Sequence, residues 1–214
     1  MTSRSTPAPG TPAGGTRAPG TRAPGTRARG TLAPGIPAGE PPAAPMLIER
    51  DVPVTMDDGV VLRADVFRPP GPDRHPVLLS CGPYAKGLAF QEGYPDQWHQ
   101  LASQHPDVTR GSSNVHQNWE VVDPEKWVPD GYACVRVDSR GAGRSPGRLD
   151  PFSPRETRDL YECIEWAAGQ PWSTGRVGLT GVSYYAMNQW QVAALRGPCS
   201  PTPCWTTVTC WSYQ

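Results

Sequence analysis

The chain has 214 residues, balanced charge (20 Lys and Arg against 20 Asp and Glu) and high proline and glycine, 27 and 23 residues. Zero formal net charge excludes a global basic bias, so neither a nucleic-acid nor a membrane partner is expected. No run of about eighteen apolar residues occurs and the N-terminus lacks the apolar stretch of a secretory signal, which points to a soluble cytoplasmic protein.

Residues 1–45 repeat a short unit, clearest in Gly15-Thr16-Arg17-Ala18-Pro19 and Gly20-Thr21-Arg22-Ala23-Pro24, with no acidic residue before Glu40. Frequent proline blocks helix and sheet ladders, and glycine adds backbone entropy, so this stretch predicts a disordered tail. Its arginines leave open a weak anion-binding arm. A start codon placed too far upstream is a third possibility.

From Met46 onward the pattern is that of a folded domain. Ile48, Val52, Val54 and Met56 alternate, Asp57-Asp58-Gly59 forms a turn, and Leu62, Ala64 and Val66 alternate again, as in a β-hairpin. Val77 to Cys81 is a continuous apolar run, the mark of a strand buried on both faces. A long loop precedes a helix near Asp96–Gln104, and a short helix falls between Trp119 and Asp130. Tyr132 to Val137 reads as another buried strand.

Ser153-Pro154-Arg155-Glu156 predicts a helix start, with serine capping, proline first and glutamate closing a capping box. Leu160, Ile164 and Ala167 follow at helical spacing, and Gly169 marks the stop. Val177 to Thr180 is a short strand entering Gly181, and Tyr184 to Arg196 the next helix. Strand, helix, strand, helix implies a mostly parallel sheet with right-handed crossovers.

Gly181-Val182-Ser183 between that strand and helix matches a nucleophile elbow, where a serine is exposed at a tight turn and a backbone N–H opens the helix. A tyrosine stands at 185, where the generic motif has a small residue. Gly181 to Ala186 with Gln189-Trp190-Gln191 resembles the signature of the Xaa-Pro dipeptidyl-peptidase-like, or CocE/NonD, family of α/β-hydrolases. Asp57 to Asp65, Pro83-Tyr84-Ala85-Lys86 and Val137 to Ser145 are similar to three further motifs of that family in the same order. The resemblance covers about 46–196.

It implies an α/β-hydrolase fold and acyl transfer through an acyl-enzyme on an ester, amide or peptide bond of a small substrate, with no cofactor. Ser183 would be the nucleophile, with the Tyr84 phenol and the Tyr184 backbone N–H as the oxyanion hole. Asp138 and Arg140 are read as ties for the loop after their strand. Trp98, Trp119, Trp127, Trp166, Trp172 and Trp190 are read as packing residues. Cys81, Cys134 and Cys163 stand singly and no Cys-x-x-Cys pair has partner ligands, so neither disulfide framework nor metal site is expected.

After Ser183 the sequence has no Asp, Glu or His, although this fold orders its triad as serine, acid, histidine. Residues 197–214 turn abruptly to Pro, Cys, Thr and Trp and read as an aberrant, frameshifted or truncated end. The strand before Ser183 is then expected at the sheet edge, in a marginal, aggregation-prone fold incomplete on its C-terminal side. The alternative to an enzyme is an inactive relic with a basic interaction arm. Substrate identity and oligomeric state stay open.

Overall fold

The computed structural model describes residues 45–195 and the backbone of Val208–Cys210. The proposed arm and most of the proposed aberrant end therefore lie outside the described residues.

Strands β1 (Leu47–Thr55) and β2 (Val61–Arg68) pair antiparallel around the predicted turn. Gly59 takes φ +82°, and the Met56 N–H donates to the Val60 carbonyl at 2.8 Å. The alternation in β1, however, is broken by a bulge. The register passes from Glu49↔Val66 to Val52↔Ala64, leaving Arg50 and Asp51 opposite Asp65 alone. One extra residue inverts the facing of everything before it. Val52 thus packs with Val54 and Met56, whereas Ile48 joins Phe67 on the other side of the sheet. Asp51 absorbs the bulge at φ +54°, a region aspartate tolerates better than most residues.

The remaining strands are β3 (His75–Gly82), β4 (Ala133–Asp138), β5 (Ser173–Gly181) and β6 (Val208–Cys210). The sheet order is β1-β2-β4-β3-β5-β6, with β2 antiparallel to β4 and the last four strands mutually parallel. Strand β3 lies between two parallel neighbours, which accounts for its unbroken apolar run. Strand β5 starts earlier than the apolar run at Val177, since Ser173 pairs with His75. Leu179 to Gly181 pair with Val208 to Cys210, so β5 is not the sheet edge that the sequence suggested. Val208 and Thr209 are β-branched, which suits a strand.

The helices are α1 (Phe90–Gly93), α2 (Pro95–Gln104), α3 (Pro124–Trp127), α4 (Pro154–Ala168) and α5 (Tyr184–Ala194). Leu160, Ile164 and Ala167 of α4 and Val192 of α5 cover one sheet face and pack on Leu62, Leu79, Val135 and Val177. Fully burying each such Leu, Ile or Val contributes about 1.5–3 kcal/mol. The opposite face holds Phe67 and Cys134 beneath Val128. Burial there pushes the Cys134 thiol up to about 12, so it behaves as an apolar group.

Ser153 caps α4, its Oγ accepting the Glu156 N–H at 3.2 Å. Glu156 does not complete the expected capping box, because its carboxyl accepts the Phe152 N–H at 2.7 Å while the Ser153 N–H bonds the Asp150 carbonyl. Gly169 ends the helix in a right-handed conformation at φ −79°. The tryptophans divide: Trp98 is buried, but Trp190 is 62% exposed on the outer side of α5 and Trp127 38% exposed, so these two do not belong to the core. Among the described residues, no helix is long and apolar enough to cross a membrane.

Candidate active site

Chain order takes β3 to β4 on one side, then returns through α4 to β5 on the other. Ligand crevices in open α/β sheets form at the carboxyl ends of strands where the order reverses in this way. The loop after β3 carries Tyr84 and the turn after β5 carries Ser183, and because β3 and β5 are parallel neighbours these two loops adjoin. The Tyr84 ring stands edge-on to Tyr184 at 6.0 Å and to Tyr185 at 5.7 Å between centroids. Residues distant in sequence and expected to act together are thus gathered at one place.

Ser183 adopts φ +53°, ψ −114°, a sparsely populated conformation for a residue with a side chain. Such backbone costs on the order of 1–3 kcal/mol and persists only where its surroundings hold it. Three hydrogen bonds do so. The Val182 N–H donates to the Glu120 carbonyl at 3.0 Å, the Tyr185 N–H to the Val182 carbonyl at 3.1 Å and the Met187 N–H to the Ser183 carbonyl at 2.9 Å. The Ser183 side chain is exposed and does not cap α5, so its hydroxyl is open to a ligand.

Tyr185 fits at the elbow because two glycines make room for it. A Cβ on Gly181 would collide with Tyr185 Cβ, and one on Gly82 with the Tyr185 ring. The bulk that the generic motif forbids is therefore laid across the end of β3. Asn188 holds α5 to the same place, donating to the Cys81 carbonyl at 2.7 Å.

The Tyr84 phenol is pushed above the ordinary tyrosine range, first by burial and then by the nearby Glu120 and Tyr94. It therefore keeps its proton at neutral pH and remains a donor. Glu120 itself is raised by burial, its Oε2 is buried with no hydrogen-bond partner, and its backbone lies at φ +58°. Sequence reasoning missed this residue, since a single glutamate beside Trp119 carries no local motif. It borders an apolar cleft of about 710 Å³ lined by Phe90, Leu101, Trp119 and Val182, a size that suits small molecules.

The Tyr84 loop is anchored by Lys86. Its Nζ lies 2.7 Å from Asp51 and 2.9 Å from Asp65, and its N–H donates to Asp138 Oδ1 at 2.7 Å. Burial lowers the lysine, but the hydrogen bonds it donates to Asp51 and Asp65 outweigh that and leave the group raised. Asp138 also accepts the Arg144 N–H at 2.8 Å, and Arg140 bonds Asp159 and Asp58. Both residues tie loops, in keeping with the sequence reading.

No described side chain bonds the Ser183 hydroxyl. His75 contacts the Gly131 carbonyl at 3.1 Å, and His116 packs on Phe67 and contacts Arg50. Cys81, Cys134 and Cys163 are free and buried. Among the described residues, no three His, Cys, Asp or Glu side chains converge as metal ligands would.

The parallel sheet, the strained serine between β5 and α5 and the crossover through α4 define an α/β-hydrolase fold. Residues 58–202 match the X-Pro dipeptidyl-peptidase (S15 family), and the chain belongs to that family. It is 34% identical over 146 residues to a cocaine esterase of Rhodococcus sp. (strain MB1 Bresler), across 68% of this chain and 21% of that protein. A CocE/NonD family hydrolase from Staphylococcus aureus superposes with a TM-score of 0.58 at 38% identity, over 72% of this chain and 26% of that one. An aminopeptidase from a marine sediment archaeon shares the fold alone, at TM-score 0.50 and 19% identity over 82% of this chain. The chain spans about a fifth of the length of that esterase and about a quarter of that of the two solved structures.

Proposed function

We propose that the chain carries the nucleophile and oxyanion hole of a serine hydrolase acting on an ester, amide or peptide bond of a small substrate. The observation that carries this reading is the exposed Ser183 at positive φ at the carboxyl end of β5, with the next residue, Tyr184, against the Tyr84 ring. The Ser183 oxygen attacks the substrate carbonyl carbon, and the carbonyl oxygen gains negative charge. The Tyr84 O–H and Tyr184 N–H, stronger donors to that charge than to a neutral carbonyl, stabilise it. Collapse expels the alcohol or amine and leaves an acyl-serine, which water then hydrolyses. The serine proton must pass to a base and return to the leaving group.

A second reading is a catalytically inactive relic with a basic interaction arm, since no described side chain bonds the Ser183 hydroxyl. A fluorophosphonate probe separates the two. On the first reading the folded chain is labelled and Ser183→Ala abolishes the label. A folded chain that takes up no probe favours the relic, and one labelled equally after Ser183→Ala overturns the first reading.

A further inference from the structure

Glu156, in the first turn of α4, is 7% exposed, and its Oε2 is shared by two donors from different parts of the chain. The Phe152 N–H reaches it at 2.7 Å and the Tyr184 hydroxyl at 2.5 Å. Phe152, held at φ +58°, stacks on the Tyr184 ring at 4.3 Å with an interplanar angle of 26°. Tyr184 is thus gripped at its hydroxyl by α4 and on its ring face by the residue before the α4 cap. Glu156 Oε1 is buried with no partner, so the carboxyl is committed through one oxygen.

Tyr184 follows Ser183 directly and is the first residue of α5. Fixing its side chain fixes its Cα, and with it the direction of the backbone N–H at the elbow. A residue in a conformation as sparse as that of Ser183 returns to ordinary backbone unless both sides are held. The Val182 side is held by Glu120. The helix side has the bonds of the first turn, and a first turn frays easily without outside support. Packing alone does not require a hydroxyl here, because phenylalanine would fill the same ring space. Buried tyrosine oxygens need a partner, and this one finds a carboxyl that also orders a loop.

We propose that Glu156 is a positioning residue of the nucleophile elbow, setting the first turn of α5, and so the Tyr184 N–H, through the Tyr184 hydroxyl. Its catalytic consequence rests on the reading of Ser183 and Tyr184 given above; the mechanical claim does not.

The test is amide hydrogen exchange on the full chain, read at Tyr185, Ala186 and Met187, with the β3 and β4 amides as an internal reference. Tyr184→Phe removes one oxygen, Glu156→Gln weakens the acceptor, and the double variant removes both. We expect at least tenfold faster exchange of the three elbow amides in each single variant, unchanged β3 and β4 exchange, and no further increase in the double variant. Where the chain takes up fluorophosphonate, the labelling rate at Ser183 falls in parallel. Elbow exchange within twofold of the parent in Tyr184→Phe overturns the proposal, as do effects that add in the double variant. If Glu156→Gln loosens every segment together, Tyr184→Phe alone decides. Exchange is measured whether or not Ser183 reacts, so failure of the hydrolase reading is told apart from failure of this one.

Discussion

At the residue scale, the site depends on a few groups whose surroundings determine what they do. Lys86 is 6% exposed and lies against Asp65 at 2% and Asp138 at 1%. Removing one member of a buried ionic cluster leaves uncompensated charge, which costs about 3–5 kcal/mol. Lys86→Met should lower stability by that amount in urea denaturation, with the Tyr84 loop affected first. Tyr84→Phe should behave otherwise. No described group bonds its hydroxyl, so stability should stay within about 0.5 kcal/mol of the parent. On the proposed reading, in which Tyr84 is an oxyanion donor, its loss should slow labelling of Ser183 by about 10²–10³. An equal labelling rate would remove Tyr84 from the site. The motifs that carry Ser183, Tyr84 and Tyr184 were legible in the sequence because each is contiguous. Glu120 and the partners of Lys86 were not, because their roles exist only where separate loops meet.

At the element scale, local signals predicted helices better than strand facing. The α4 start was readable because a cap acts within one turn: Ser153, Pro154 and Glu156 stand where helix geometry wants them. Ser153→Ala should cost about 1 kcal/mol, read as a shift in the urea midpoint at unchanged slope. The glutamate's actual partners, the Phe152 N–H and Tyr184 hydroxyl, come from folding and could not be read from spacing. Strand β1 shows the converse. Its alternation looked regular, yet the bulge at Asp51 divides it between two sheet faces, because a single inserted residue changes facing without changing composition.

At the scale of the whole molecule, buried charge makes stability depend on pH in a definite direction. His116 is held below 6.5 by burial and by Arg50, so its contribution is present above 6.5 and lost as pH falls toward its folded value. For Asp65, burial acts upward but the Asp51 N–H, Lys86 and Arg50 outweigh it, leaving it below 3.8. Its stabilisation is present above 3.8 and lost as pH drops through the lower folded value. Asp138, raised by burial, opposes this in part, since its contribution is lost as pH rises through its folded value. Lys86 is raised above 10.5 and Tyr84 above 10.0, so both contributions are present below those values and lost as pH climbs past them. Thermal midpoints should form a plateau from about pH 6.5 to about pH 10, with a shallow acid slope that His116→Gln flattens. A slope unchanged by that substitution would exclude His116 as its cause.

By itself the sequence determined the chemistry available: a hairpin around Asp58-Gly59, two buried strands, a capped helix, a serine between strand and helix, and ordered motifs sufficient to imply the family. These are readable because hydrophobic period, capping and turn chemistry act between near neighbours. The tertiary structure alone decided that β3 and β5 lie side by side, that β6 flanks β5, that Glu120 and Glu156 reach the elbow from separate segments, and that Lys86 anchors the Tyr84 loop. Such juxtapositions follow from sheet order and loop crossing, in which residues far apart in the chain become neighbours, and no local pattern encodes them.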